Sequence, residues 1–110
     1  MRRGDIVTIA ISGDFGKPRP AVVIQHDLLN EEPSLKTVLV CLITSSTRDV
    51  PAIRLDLPAR SQTGLQREAQ IMGEKLFAVK RERVGGIIGH IEPETLLELN
   101  QRLAFVLGIS

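Results

Sequence analysis

A carboxylate at Asp14, an ammonium at Lys17 and a guanidinium at Arg19 crowd one stretch, Ser12-Gly13-Asp14-Phe15-Gly16-Lys17-Pro18-Arg19. Apolar runs flank it, Ile6 to Ile11 before and Ala21 to Ile24 after, so it reads as a mobile basic loop joining two strands. Arg19 then stands at the mouth of a buried strand. Further along, the most hydrophobic run of the chain, Thr37 to Ile43, ends in four consecutive hydroxyls, Thr44-Ser45-Ser46-Thr47. Such hydroxyls either satisfy backbone groups in turns or donate to phosphate oxygens. If the two strands are neighbours, Arg19 and the Thr44-Ser45 pair meet at their ends, and that combination suits a phosphodiester. An arginine fork binds two phosphate oxygens and stabilises charge that develops on them; a threonine hydroxyl donates to another. RNA carries its own nucleophile in the 2′-hydroxyl, so only a base is still needed, and Asp14 is the nearest acidic candidate. On pattern alone this is one arrangement among many.

Other chemistries fit less well. Gly13-Asp14-Phe15-Gly16-Lys17 has too few residues between its glycines for a phosphate loop, and Pro18 stands where that loop needs Ser or Thr. His26 and His90 have no metal-ligand spacing and no cysteine beyond Cys41, so no metal site is expected. No Gly-x-Ser-x-Gly elbow supports a serine triad. No cofactor is implied.

At 110 residues the chain is expected to form a single domain, 1–110. Trp and Tyr are absent and Phe occurs three times, so the core must be built from Val, Ile and Leu. A net charge of +1 makes any nucleic-acid contact local rather than a global field effect. The lone Cys41 excludes an internal disulfide and fits a reducing compartment. No apolar stretch is long enough to span a membrane, and Met1-Arg2-Arg3 leads into Gly4-Asp5 rather than a leader. The expectation is a soluble cytoplasmic protein.

The elements that must position these residues follow from periodicity. Strands are expected over about 5–12, 20–25 and 37–43, and over 53–57 with one wet face. Asp5 is expected to cap the turn into the first. The polar connection 27–34 offers only Leu28-Leu29 to the core. Ser61 to Leu65 reads as a turn; Arg67 to Met72 and Glu74 to Val79 read as extended. Lys80 to Val84, which holds the densest positive charge, reads as a short helical turn, and Gly85 to Ile91 as a last strand. Pro93 in a first turn, Glu92 and Glu94 at its positive end and Gly108 past the finish mark a C-terminal helix. Leu96, Leu99, Leu103, Val106 and Leu107 are expected on its buried side. The fold class is mainly β with a C-terminal helix, α+β, as a small barrel.

The order of these pieces resembles a known family. Arg3-Gly4-Asp5-Ile6-Val7, Lys17-Pro18-Arg19-Pro20-Ala21-Val22-Val23-Ile24, the strand ending Thr44-Ser45, the turn Thr63-Gly64-Leu65, Lys75-Leu76-Phe77-Ala78-Val79 with Arg83-Val84-Gly85, and the final Leu-rich helix look like the MazF/PemK/Kid toxins of bacterial type II toxin–antitoxin modules. The match covers nearly the whole chain. It implies a CcdB/MazF-like fold, an SH3-like barrel with a C-terminal helix, assembled as a homodimer with active sites along the subunit groove. It also implies a metal-independent endoribonuclease, an mRNA interferase, that cuts single-stranded RNA and leaves a 2′,3′-cyclic phosphate and a 5′-hydroxyl. The family's catalytic Arg and Thr carry over to Arg19 and Thr44, and Asp14 occupies the acidic position five residues before that Arg. Lys17, Pro18, Ser45, Ser46 and Lys75 are the implied RNA-binding residues. Many relatives read Asp-Gln-x-Arg where this chain has Glu74-Lys75-Leu76-Phe77, so Phe77 replaces an arginine and Lys75 offers a substitute charge. The implied partner is a cognate antitoxin whose acidic, partly apolar tail fills the same groove.

Two other classes compete. A CcdB-like gyrase poison would share the fold, but Leu107-Gly108-Ile109-Ser110 lacks the tryptophan on which that action rests. A non-catalytic SH3-like binding module would leave Arg19 paired with a carboxylate such as Asp5 or Asp56.

Overall fold

The computed structural model describes residues 1–11 and 17–110. Six strands form one sheet: β1 (Asp5–Ala10), β2 (Pro18–Val23), β3 (Thr37–Thr44), β4 (Arg54–Leu57), β5 (Ala69–Lys80) and β6 (Val84–His90). Their order is β4-β5-β3-β2-β1-β6, with every paired neighbour antiparallel. Helix α1 (Asp27–Asn30) joins β2 to β3, and α2 (Pro93–Leu107) closes the chain. The first turn is built as its sequence suggests: Asp5 accepts from the Arg2 N–H at 2.8 Å.

Alternation along the strands sorts the apolar residues onto two faces. Ile6, Val22, Cys41, Ile43 and Ile71 share one core cluster with Leu99 and Leu103 of α2. Val7, Ile9, Ala21, Val23, Val38 and Val40 form a second on the opposite face. The central strand β2 therefore has both faces covered, which explains its unbroken apolar run. Helix α2 has Pro93 at its first turn and stops at Gly108, whose φ of 73° is the left-handed cap that glycine accepts without strain. Burying Leu99 and Leu103 contributes roughly 1.5–3 kcal/mol each. Leu107, expected on the buried side, is exposed.

Several boundaries differ from the periodic reading. Strand β1 ends at Ala10, and β2 begins at Pro18 rather than residue 20. Two prolines are tolerated there because the ladder to β3 starts only at Ala21 opposite Leu42, leaving Pro18 to Pro20 with one unpaired side. Leu28 and Leu29 are exposed rather than inserted, because α1 is a single turn capped by His26 Nδ1. The two extended segments at 67–72 and 74–79 are one bent strand, β5. A register shift between Cys41 and Ile43 lets its first half pair with β4 and the end of β3, and its second half with the start of β3. Gly73 sits at the bend, its N–H donating to Ile53 O at 2.8 Å; a Cβ there would press on that carbonyl. In β4 the expected wet face is only half wet: Asp56 is exposed, whereas Arg54 is buried.

Candidate active site

The register of β2 against β3 decides what meets at their ends. Ala21 lies opposite Leu42, Val22 opposite Cys41 and Val23 opposite Val40. That antiparallel pairing puts Arg19 of β2 and Thr44 of β3 at the same end of the two strands. Both residues line the same cleft, about 480 Å³ in volume, with Pro20, Ser45, Leu65 and Arg67 among its walls. Arg19 is exposed and Thr44 half-buried, so each reaches the opening from a rigid strand. The Thr44 hydroxyl accepts from the Ser46 N–H at 3.0 Å, which leaves its own proton to donate into the cleft. The floor is apolar, with Leu42 and Ile43. The arrangement presents a fork-shaped cation and a hydroxyl donor to one anionic group, as a phosphodiester requires.

A polar network holds the hydroxyl-rich loop that follows Thr44. Gln70, opposite Thr44 in the β3–β5 ladder, grips the backbone of Arg48 from both sides: its Oε1 accepts from Arg48 N and its Nε2 donates to Arg48 O, each at 2.9 Å. Asp56 Oδ1 accepts from the same Nε2 at 2.9 Å. Buried Arg54 donates to Gln70 Oε1 at 3.3 Å and pairs with Glu74 at 3.0 Å. The opposite wall is pinned by the turn after Arg60. Thr63 Oγ1 donates to Arg60 O at 2.8 Å, and His90 N donates to Gln62 O at 2.7 Å. Gly64 has a φ of 72°, and a Cβ there would run into the carbonyl of Ile88.

Across residues 2–107 the chain matches the family model described as PemK-like, MazF-like toxin of type II toxin–antitoxin system. The chain belongs to this family. A curated relative, the probable endoribonuclease MazF of Mycolicibacterium smegmatis, is 33% identical over 111 residues, covering 100% of this chain and 99% of the relative. Among solved structures, an endoribonuclease in complex with its cognate antitoxin from a mycobacterial species superposes with a TM-score of 0.83 at 17% identity, covering 100% of this chain and 97% of the other. MazF in a MazE–MazF complex from Deinococcus radiodurans superposes with a TM-score of 0.79 at 22% identity, covering 100% and 97%. These likenesses establish the CcdB/MazF-like fold.

Within this MazF-like chain, the residues singled out from sequence fall into three groups. Arg19, Thr44 and Ser45 line the cleft together. Lys17, Pro18 and Ser46 are exposed beside it in sequence without lining it, and Lys75 is exposed on β5, beyond the register shift. Asp14, with the rest of the Ser12 to Gly16 segment expected to form a mobile loop, lies outside the described residues. Of the two carboxylates named for the binding-module reading, Asp5 accepts from Arg2 N and Asp56 from Gln70. Cys41 is no nucleophile, since burial, aided by the Glu74 carboxylate, pushes its thiol up to about 12. Among the described residues no His, Cys, Asp or Glu group has a metal-holding arrangement, and no helix is long and apolar enough to cross a membrane. Arg67 and Gln70 were missed as parts of the site. The signal for Arg67 was its place between Leu65 and Ala69, two apolar anchors that turn the intervening polar residues outward.

Proposed function

We propose that this chain is the toxin of a type II toxin–antitoxin module, a metal-independent, sequence-specific endoribonuclease acting on single-stranded RNA in the cytoplasm. The observation that carries the reading is the antiparallel pairing that brings Arg19 and Thr44 to one cleft; family membership supplies the class of substrate. The scissile phosphate sits between the two side chains. As the 2′-oxygen attacks phosphorus, negative charge accumulates on the non-bridging oxygens, and the Arg19 fork and the Thr44 hydroxyl interact more strongly with that state than with the ground state. Asp14 takes the proton from the 2′-hydroxyl. As the bond from phosphorus to the 5′-oxygen breaks, that oxygen takes a proton from solvent water, and a 2′,3′-cyclic phosphate remains. Lys17, Ser45, Ser46 and Lys75 extend the phosphate track, with Pro18 shaping its edge. The working unit is a homodimer, consistent with the exposed apolar side chains of Leu97, Phe105 and Ile109 along and beyond α2. A cognate antitoxin inhibits by laying acidic side chains over Arg19 and Lys17.

The test is incubation with a mixed RNA in EDTA, followed by mapping of the new ends. Wild type is expected to leave cyclic phosphates and 5′-hydroxyls, and Arg19→Ala to lose on the order of 10³-fold in rate, the scale of a removed transition-state donor, with an unchanged melting curve. Undiminished cutting by the variant would remove Arg19 from the mechanism. Gyrase inhibition without any RNA cleavage would replace the reading altogether.

A further inference from the structure

The cleft has two guanidinium groups, on opposite walls. Arg19 enters from β2, and Arg67 from the segment between the Thr63-Gly64 turn and β5. Four other arginines spend side-chain donors on the fold. Arg3 donates to Ile24 O and Asn100, Arg54 pairs with Glu74, Arg81 donates to Leu35 O and Leu29 O, and Arg102 donates to Pro51 O. Arg67 is exposed and takes part in no side-chain hydrogen bond or ion pair among the described residues. Its backbone is nevertheless well held. Leu65 packs against the main core cluster, Ala69 is buried within it, and the turn just before is locked against β6 at Ile88 and Gly89. A guanidinium on a fixed backbone, facing a cleft and with its donors unspent, is built for a ligand from outside the chain.

Resting on the ribonuclease reading, we infer that Arg67 is a substrate-positioning residue that binds an RNA phosphate adjoining the scissile one. Arg19 and Arg67 then hold successive phosphates from the two walls, and the strand is fixed across the cleft with its reactive phosphate at Thr44. Arg67 touches no reacting atom. Its contribution is uniform binding of ground and transition states, so it lowers KM without raising kcat. Its charge also displaces one counterion from the strand, so it adds to the salt dependence of binding.

The experiment compares wild type, Arg67→Gln, Arg67→Lys and Lys36→Gln. Lys36 precedes β3 at the end opposite Thr44 and serves as the off-site control. Cleavage kinetics are measured on a mixed-sequence RNA, and affinity for a single-stranded 2′-O-methyl RNA, which lacks a free nucleophile, is measured across a salt series. Arg67→Gln is expected to raise KM about tenfold, the low end of a charge-assisted hydrogen bond, with kcat within about twofold of wild type. The slope of log affinity against log salt should fall by about 0.7. Arg67→Lys should retain that slope, and Lys36→Gln should match wild type throughout. An Arg67→Gln protein with wild-type KM and slope overturns the inference. So does one that keeps its RNA affinity but binds an oligoglutamate peptide less tightly, which would assign Arg67 to a protein partner. Failure of wild type to cut or bind any RNA, seen before a variant is made, instead removes the ribonuclease reading and Arg67's role with it.

Discussion

Thr44 works through a division of its hydroxyl. The oxygen accepts from the Ser46 N–H at 3.0 Å, which fixes the side chain and leaves the proton to donate into the cleft it shares with Arg19. A valine at this position would keep the volume and the β-branch but remove both functions. Thr44→Val is therefore expected to fold with a melting temperature near wild type and to lose about 10²-fold in kcat, the lower range for a missing transition-state donor. Thr44→Ser should keep most of the activity, because its hydroxyl repeats both bonds. Single-turnover cleavage rates of the two variants check this, and equal rates would show that the hydroxyl does no chemistry. Cys41, three residues earlier on the same strand, makes the contrast plain: it lies in the core cluster shared with α2, where burial holds its thiol neutral.

At the scale of elements, the site depends on how the loop after β3 is held to β5. The Gln70 side-chain amide satisfies both backbone groups of Arg48 and is itself oriented by Asp56 and by Arg54, whose charge is neutralised by Glu74. Gln70→Leu would keep roughly the same shape while leaving the Arg48 N–H and C=O, and part of the Arg54 guanidinium, without partners. The expected cost is about 1–3 kcal/mol of stability, read as a lower urea midpoint with unchanged slope, together with faster amide exchange at Arg48. A midpoint equal to wild type would mean that water replaces the amide. None of this network was legible in the sequence. Arg54 read as a member of a strand with one wet face and Gln70 as part of an extended segment, since period-two alternation assigns a side chain to a face but does not say what caps that face. The C-terminal helix was legible nearly to the residue, because Pro93, the spaced leucines and Gly108 are local signals. The apolar run of β2 was legible as a buried strand, although the strand spans Pro18–Val23 rather than 20–25. The bend of β5 was not, since a register shift is a relation between strands; only Gly73 hinted at it. The meeting of Arg19 with Thr44 lies between these cases. Each residue was visible as a strand end, but their union needed the antiparallel pairing of β2 with β3.

For the whole molecule, the first few residues join parts that are distant along the chain. Gly4 N donates to Val23 O and Gly4 O accepts from Ile91 N. The Arg3 side chain spans Ile24 O and Asn100 of α2, each at 2.7 Å. The anchor on the far side is Asp27. Its carboxylate accepts from the Arg3 N–H at 2.6 Å and pairs with the Arg2 guanidinium at 3.3 Å. The Arg3 N–H bond holds the Asp27 carboxyl below its ordinary value of 3.8, assisted by Asn30 and Arg2 and opposed by desolvation. Because the folded value is the lower one, this stabilisation is fully present above about pH 3.8 and is lost as pH falls through the folded value. Wild type should therefore melt higher than Asp27→Asn at pH 7, with the difference closing only below pH 3.8, as the Asp27 carboxylate is protonated in the folded state as well. The carboxylate is one-third exposed, so solvent screening keeps the difference modest, and salt should shrink the part due to Arg2 more than the part due to the Arg3 N–H. Thermal melts of both proteins from pH 7 down to the acid transition check this. A gap that stays constant with pH would mean that Asp27 acts by shape alone, and that the N-terminal staple holds sheet and helix together without its charge.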